Sequence, residues 1–235
     1  MNTDALICVS GTMLDESLFS YQEQRLAARL PVIITVPSTG KTLKEKAAAI
    51  PARAPARFAL AGLSMMGGIV ALEIWHQARE RVSDLSLINT TLPTDHPQRR
   101  LLRDPEVPRT LNGKSRNVLI ESMKLLYLGR RARSIRKLLG QILNMGLAVG
   151  AEVFRRQSAA LESRPVSRGT LSLIDCPSLV ICGREDAICP FELHIEMWRR
   201  LPRADLAVLA ECSHLPTPEQ PEVVSQHLRT LLERI

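Results

Sequence analysis

The stretch FALAGLSMMGGIVALEIW, Phe58 to Trp75, decides the fold. Phe58 to Gly62 is apolar on both faces, as in a strand covered by helices on both sides. From Gly67 onward the apolar residues recur at helical spacing. Between strand and helix stands Gly62-Leu63-Ser64, a Gly-x-Ser at the junction, which forces a sharp turn and holds the serine hydroxyl above the sheet edge. Gly62 is small because the two backbones come close there. The helix N-terminus beneath the serine favours the negative charge that an acyl-transfer transition state develops.

Outward from this junction, short apolar runs alternate with helix-period stretches. The strands are expected at 5–9, 32–36, 58–62, 84–89, 178–182 and 205–209. Helices are expected at 16–30, 42–50, 67–78, 191–201 and 221–235. That alternation predicts a doubly wound α/β fold with a mainly parallel sheet of six strands. One interval breaks the rhythm. From Thr91 to Pro177 there is a proline-punctuated loop (Pro93, Pro97, Pro105, Pro108) and then helical stretches near 115–128, 131–146 and 151–162. The expected division is a core of 1–90 and 178–235, with an all-helical lid of 91–177 inserted after the fourth strand.

The serine gains weight from partners in the right order. After the fifth strand comes CGREDAICP, which presents Asp186; after the sixth comes AECSHLPTPEQPEVV, which presents His214. A hydroxyl needs a base that titrates near neutral pH, and a histidine needs a carboxylate to fix its tautomer. The order Ser, Asp, His along the chain is that of one hydrolase fold. CVSGTMLDESLF places Gly11 and Thr12 directly after the first strand, so the Thr12 amide, with that of Met65, is the expected oxyanion hole. All four loops leave the same edge of the sheet, at the topological switch point where ligands bind.

These segments resemble the α/β-hydrolase superfamily, in its small lidded bacterial form. VSGTMLDESLF is similar to the oxyanion loop, AGLSMMGGIVALEI to the nucleophile elbow, CPSLVICGREDAICP to the acid loop and CSHLPTPEQPEVV to the histidine loop. The resemblance implies a carboxylesterase or enol-lactone hydrolase. The hairpin that usually opens the family's sheet is missing. A second departure is Met66, which stands where the family has a small residue two places after the nucleophile; Gly67-Gly68 follows one residue late. A long side chain at that crossing is expected to cost about 1–3 kcal/mol, by an extra residue in the first helical turn or by misaiming Ser64.

Other candidates carry less. Gly40-Lys41-Thr42 follows a strand and opens a helix, but a phosphate-binding loop needs glycine where Thr35 stands, and Pro37 removes an amide. Asn89 ends the fourth strand, where some relatives carry the triad acid; an amide cannot serve, which favours Asp186. Glu185 is read as a solvated neighbour and Glu219 as part of a helix start. Asp95 and His96 are read as polar loop at the lid entrance. His76, His194 and His227 are read as surface residues, and no metal site is expected.

The 235 residues suit one α/β domain. Five cysteines without a CxxC pair are read as reduced, buried thiols of a cytoplasmic protein. Neither a targeting segment nor membrane insertion is expected. The net charge of +7 is uneven: residues 96–169 hold 16 Lys/Arg against 5 Asp/Glu. Without interleaved aromatics that excess does not indicate nucleic acid; it is read as a solvated arginine-rich helical face, whose arginines would admit an anionic substrate at the rim.

The expected function is a serine hydrolase that cleaves a small carboxylic ester, lactone or thioester through Ser64, His214 and Asp186, with no cofactor. The alternative is a catalytically silent protein of the same fold that binds a small molecule.

Overall fold

A computed structural model of the chain describes residues 3–91, 106–162 and 168–233. Six strands form one sheet: β1 (Ala5–Val9), β2 (Val32–Thr35), β3 (Phe58–Leu63), β4 (Val82–Ile88), β5 (Ser178–Gly183) and β6 (Ala204–Leu209). Their order is β2-β1-β3-β4-β5-β6, and every neighbouring pair is parallel. The order reverses at β1, so the loops after β1 and β3 diverge and leave a crevice between them.

Alternation along β1 divides the interior. Leu6 and Cys8 face one apolar cluster, while Ile7 and Val9 face the other. The first cluster lies under α1 (Ser20–Leu26) and the C-terminal helix; α2 (Leu43–Ala48) and α3 (Ser64–Gln77) cover the second. Twelve residues of α3, Ser64 to Trp75, are buried, which explains why its sequence is apolar all round. Thr42 caps α2, its hydroxyl accepting the Glu45 amide, while Glu45 reaches back to the Lys41 amide; the Gly-Lys-Thr segment is a helix cap.

Between β4 and β5 the described residues contribute helices and no strand. Short turns run over 106–127, broken at Gly113 with φ +78°, and a further turn spans Arg130–Arg133. Two amphipathic helices follow, α4 (Arg136–Val149) and α5 (Ala151–Glu162). Asp95 and His96 lie outside the described residues. Beyond β5 come α6 (Phe191–Arg200), a turn at Pro216–Glu219 and α7 (Pro221–Leu232).

The expected crowding at Met66 falls elsewhere. Met66 is fully buried in the second cluster, and helix α3 starts at Ser64 without a gap. The close backbone approach occurs one residue later: a Cβ on Gly67 would stand 2.3 Å from the Val9 carbonyl oxygen, and one on Gly62 would stand 2.4 Å from the Gly67 carbonyl oxygen. A Cβ on Gly68 would meet Thr90 Oγ1 at 2.1 Å. The delayed glycine pair therefore occupies the crossing itself, and Met66 turns into the core.

His194 corrects a second expectation. It is buried on the inner face of α6, with Nδ1 3.1 Å from the Pro190 carbonyl, and burial lowers its pKa. His76 is exposed, as expected. All five cysteines are free and buried; desolvation raises the thiols of Cys8, Cys176, Cys182 and Cys212, with Cys182 pushed up to about 12.

Candidate active site

Among the described residues, four non-glycine residues take positive φ: Met13, Ser64, Asn89 and Glu211. They follow β1, β3, β4 and β6, so backbone strain concentrates at one edge of the sheet, where chemistry most often accounts for it. Ser64 has φ +64°, the sharp turn its Gly-x-Ser context predicts. Gly11 makes the approach of the first loop feasible, since a Cβ there would lie 2.6 Å from Ser64 Cβ.

The three residues taken from distant parts of the sequence converge at this edge. Ser64 Oγ lies 2.8 Å from His214 Nε2, and His214 Nδ1 lies 2.8 Å from Asp186 Oδ2. All three are buried. Asp186 Oδ1 accepts the Ile188 and Cys189 amides, which leaves Oδ2 to the imidazole. With Nδ1 carrying the proton toward this carboxylate, Nε2 is the acceptor facing the serine hydroxyl. Among the described residues, Asp186, Cys189 and His214 form one group whose ligand atoms all lie within 4.8 Å of one another, as a metal ion requires; the imidazole and carboxylate of that group are already bonded to each other.

Thr12 and Met65 border the same small cavity as Ser64 and His214. Its other walls are Tyr127, Phe154, Leu161 and Ile188, mostly apolar. The space left for a water-sized sphere is about 10 Å³, room for one water and no substrate.

Several neighbours carry no signal in the sequence. The Tyr127 ring stacks on His214 at 5.5 Å between centroids, and its hydroxyl donates to the Thr12 carbonyl at 3.4 Å. Gln157 on α5 accepts the Met13 amide at 3.1 Å, tying the loop after β1 to the helices between β4 and β5. Asn89 accepts the Gly183 amide and donates to the Ser213 carbonyl, pinning the ends of β4 and β5 to the histidine loop. A carboxylate there could not donate to Ser213, which gives the amide a positive reason. Glu185 is half-buried and accepts the Arg130 amide at 3.1 Å, so it is more than a solvated neighbour.

The family model described as "Alpha/beta hydrolase family" matches residues 6–227. The chain belongs to the alpha/beta hydrolase family. Among curated relatives of this hydrolase, the pimeloyl-acyl-carrier-protein methyl ester esterase of Nitrosomonas europaea is 27% identical over 191 residues, 72% of this chain and 69% of the relative. Among solved structures, a thermophilic esterase from Thermogutta terrifontis is 26% identical, with a TM-score of 0.87 over 97% of this chain and 89% of that one. The enol-lactonase from Burkholderia xenovorans LB400 shares the fold at 17% identity, with a TM-score of 0.88 over 100% and 93% of the two chains. The protein is an α/β-hydrolase enzyme. No helix among its described residues is long and apolar enough to cross a membrane.

Proposed function

We propose that this enzyme is a serine hydrolase that cleaves a small carboxylic ester, lactone or thioester through an acyl-enzyme. The observation that carries the reading is the unbroken line Ser64 Oγ, His214 Nε2, His214 Nδ1, Asp186 Oδ2, with 2.8 Å at both contacts.

Ser64 Oγ attacks the carbonyl carbon while His214 Nε2 takes the hydroxyl proton. The carbonyl oxygen becomes an oxyanion facing the Thr12 and Met65 amides, at the N-terminus of α3. Asp186 stabilises the imidazolium. The carbonyl re-forms, the bond to the alcohol or thiol breaks, and His214 delivers its proton to the leaving group. Water then attacks the acyl-enzyme by the same steps, and Ser64 regains its proton. No metal or cofactor enters this scheme.

In this reading residues 91–177 act as the lid. The cavity over Ser64 is too small for a substrate, so Tyr127, Phe154 and Leu161 must move before one enters. Apolar walls favour a hydrocarbon acyl group. A specific surface favours an anionic partner for the rest of the substrate: Arg130, Arg131, Arg133, Arg136 and Lys137 are exposed just beyond Tyr127. An ester carried on an acidic protein is the second reading, given the carrier-protein ester on which the Nitrosomonas relative acts by name.

A fluorophosphonate probe tests the proposal, with a short-acyl nitrophenyl ester as the kinetic partner. The expected result is stoichiometric labelling at Ser64, abolished in Ser64→Ala, and a loss of about 10⁴-fold or more in ester turnover for His214→Ala. Folded wild-type protein that takes no label and cleaves no ester leaves the silent binding protein as the reading.

A further inference from the structure

Glu219, read from the sequence as part of a helix start, is joined to the active edge from two sides. Its Oε1 accepts the Ser213 amide at 3.1 Å and the Leu215 amide at 3.4 Å, the two amides that bracket His214. Its Oε2 accepts the Gly129 amide at 2.9 Å, from the segment between β4 and β5. That segment and the histidine loop also meet directly. The Leu215 amide donates to the Tyr127 carbonyl, and the Ser213 hydroxyl reaches the Leu126 and Glu185 carbonyls. The Tyr127 ring then lies on His214. Gly129 is fitted to this junction, since a Cβ there would stand 3.0 Å from Glu219 Oε2.

We propose that Glu219 is a positioning residue for His214: its carboxylate aims the imidazole by gripping the amides on either side, and with its other oxygen seats the 126–129 segment over the same histidine. The inference rests on the reading of His214 as the base. One group thus couples the aim of the base to the seating of Tyr127 above it. Both oxygens serve fully as acceptors when the carboxylate is ionised; a proton takes up a lone pair and the negative charge, so the grip on the amides weakens.

The surroundings make that proton matter. Burial pushes the Glu219 carboxyl up to about 7, against the pull of the three amides and of His214. The other titratable groups near it are Glu185 from the acid loop and the Cys212 thiol. Nearby cations are engaged elsewhere: Arg130 lies 3.9 Å from Glu185, and Arg131 pairs with Glu211 at 3.5 Å. The grip therefore tightens as pH rises through neutrality.

The test measures the rate of fluorophosphonate labelling and of short-ester turnover against pH for wild type, Glu219→Gln and Glu219→Asp, with unfolding midpoints alongside. Glu219→Gln keeps the shape but turns an NH₂ toward an amide. The expected result is a labelling rate about 10- to 100-fold lower at pH 8, carried by kcat more than by KM. The part of the wild-type pH profile near pH 7 that Glu219 contributes disappears in Glu219→Gln, leaving the simpler profile of the base alone, and Glu219→Asp restores it with part of the rate. If Glu219→Gln fails to fold, Gly129→Ala, which presses on Oε2, is expected to displace the same part of the profile. A wild-type rate and profile in Glu219→Gln overturns the proposal, as does a loss confined to the fraction of folded enzyme. His214→Ala separates the two failures: if it labels as wild type, the base assignment fails and the role of Glu219 falls with it, whereas an inactive His214→Ala beside an unaffected Glu219→Gln overturns the role of Glu219 alone.

Discussion

The elbow at Ser64 and the helices between β4 and β5 border the same cavity but are held in different ways. The elbow is fixed by backbone crowding: Gly11, Gly62, Gly67 and Gly68 each lack space for a Cβ, and the strands they join are fully buried. The helical segment packs apolar side chains such as Leu128, Leu138, Ile142 and Phe154 into the core, but its register over the active edge is set by a handful of side-chain ties, among them Gln157 to Met13, Tyr127 to Thr12 and Glu219 to Gly129. Packing against backbone is all-or-none, because interiors tolerate little added volume. A tie through one hydrogen bond contributes about 1 kcal/mol and can be released without unfolding. The difference suits the serine-hydrolase reading proposed above, in which Ser64 must stay still while its cover moves.

The comparison is broken most severely at Gly67. Gly67→Val places branched carbons where the Val9 carbonyl already stands, so strand β1 and helix α3 cannot keep their distance. The expected outcome is a loss of about 3 kcal/mol or more of stability, read by denaturant melts. Gln157→Leu probes the other regime. It leaves the buried Met13 amide without its acceptor, at a cost of about 1–3 kcal/mol, and loosens the loop that carries Thr12. Ester turnover is expected to fall by about tenfold in Gln157→Leu, with cooperative unfolding retained. Equal stability losses in the two variants would erase the distinction drawn here.

The smallest effect concerns pH. Because the folded protein raises Glu219 from its ordinary 4.5 to about 7, the folded state binds this proton more tightly than the unfolded chain does. Its contribution to stability is therefore greatest below about pH 4.5, declines as pH rises toward 7, and is level above that. Solvent screening of a half-buried group keeps the change on the order of 1 kcal/mol. Thermal melts across this window are expected to show the decline in wild type and a flatter curve in Glu219→Gln. The ionised form that best grips the histidine loop is then also the less stable one, a trade found where function sets the arrangement.

Met66 shows how far a pattern carries. The spacing of glycines after Ser64 departs from the family elbow, and taken as a string it predicts either a distorted helix or a misdirected hydroxyl. The folded chain places residue 67, not 66, against Val9, and the hydroxyl meets His214 at 2.8 Å. Which residue of a helical turn faces the neighbouring strand depends on the pitch and entry angle of that helix, and neither is written in local composition. His194 teaches the same from the opposite side. A histidine on a polar-looking helix becomes buried because α6 lays that face on the sheet.

What the sequence by itself determined is the set of elements and their chemistry. Six short apolar runs became six parallel strands, the four inner ones fully buried and the two edge ones partly exposed, and Ser64, Asp186 and His214 could be named because each follows a strand at a position where a loop must begin. Periodicity and turn chemistry are local, so a linear string retains them. Only the tertiary structure decided what surrounds those residues: Tyr127 on the imidazole, Gln157 on the loop after β1, Asn89 between two strand ends and Glu219 astride the histidine loop. Apart from the hold of Glu219 on the amides of its own loop, these contacts join segments about 90 or more residues apart in the chain. They depend on how helices seat on a sheet, and no spacing within one segment encodes them.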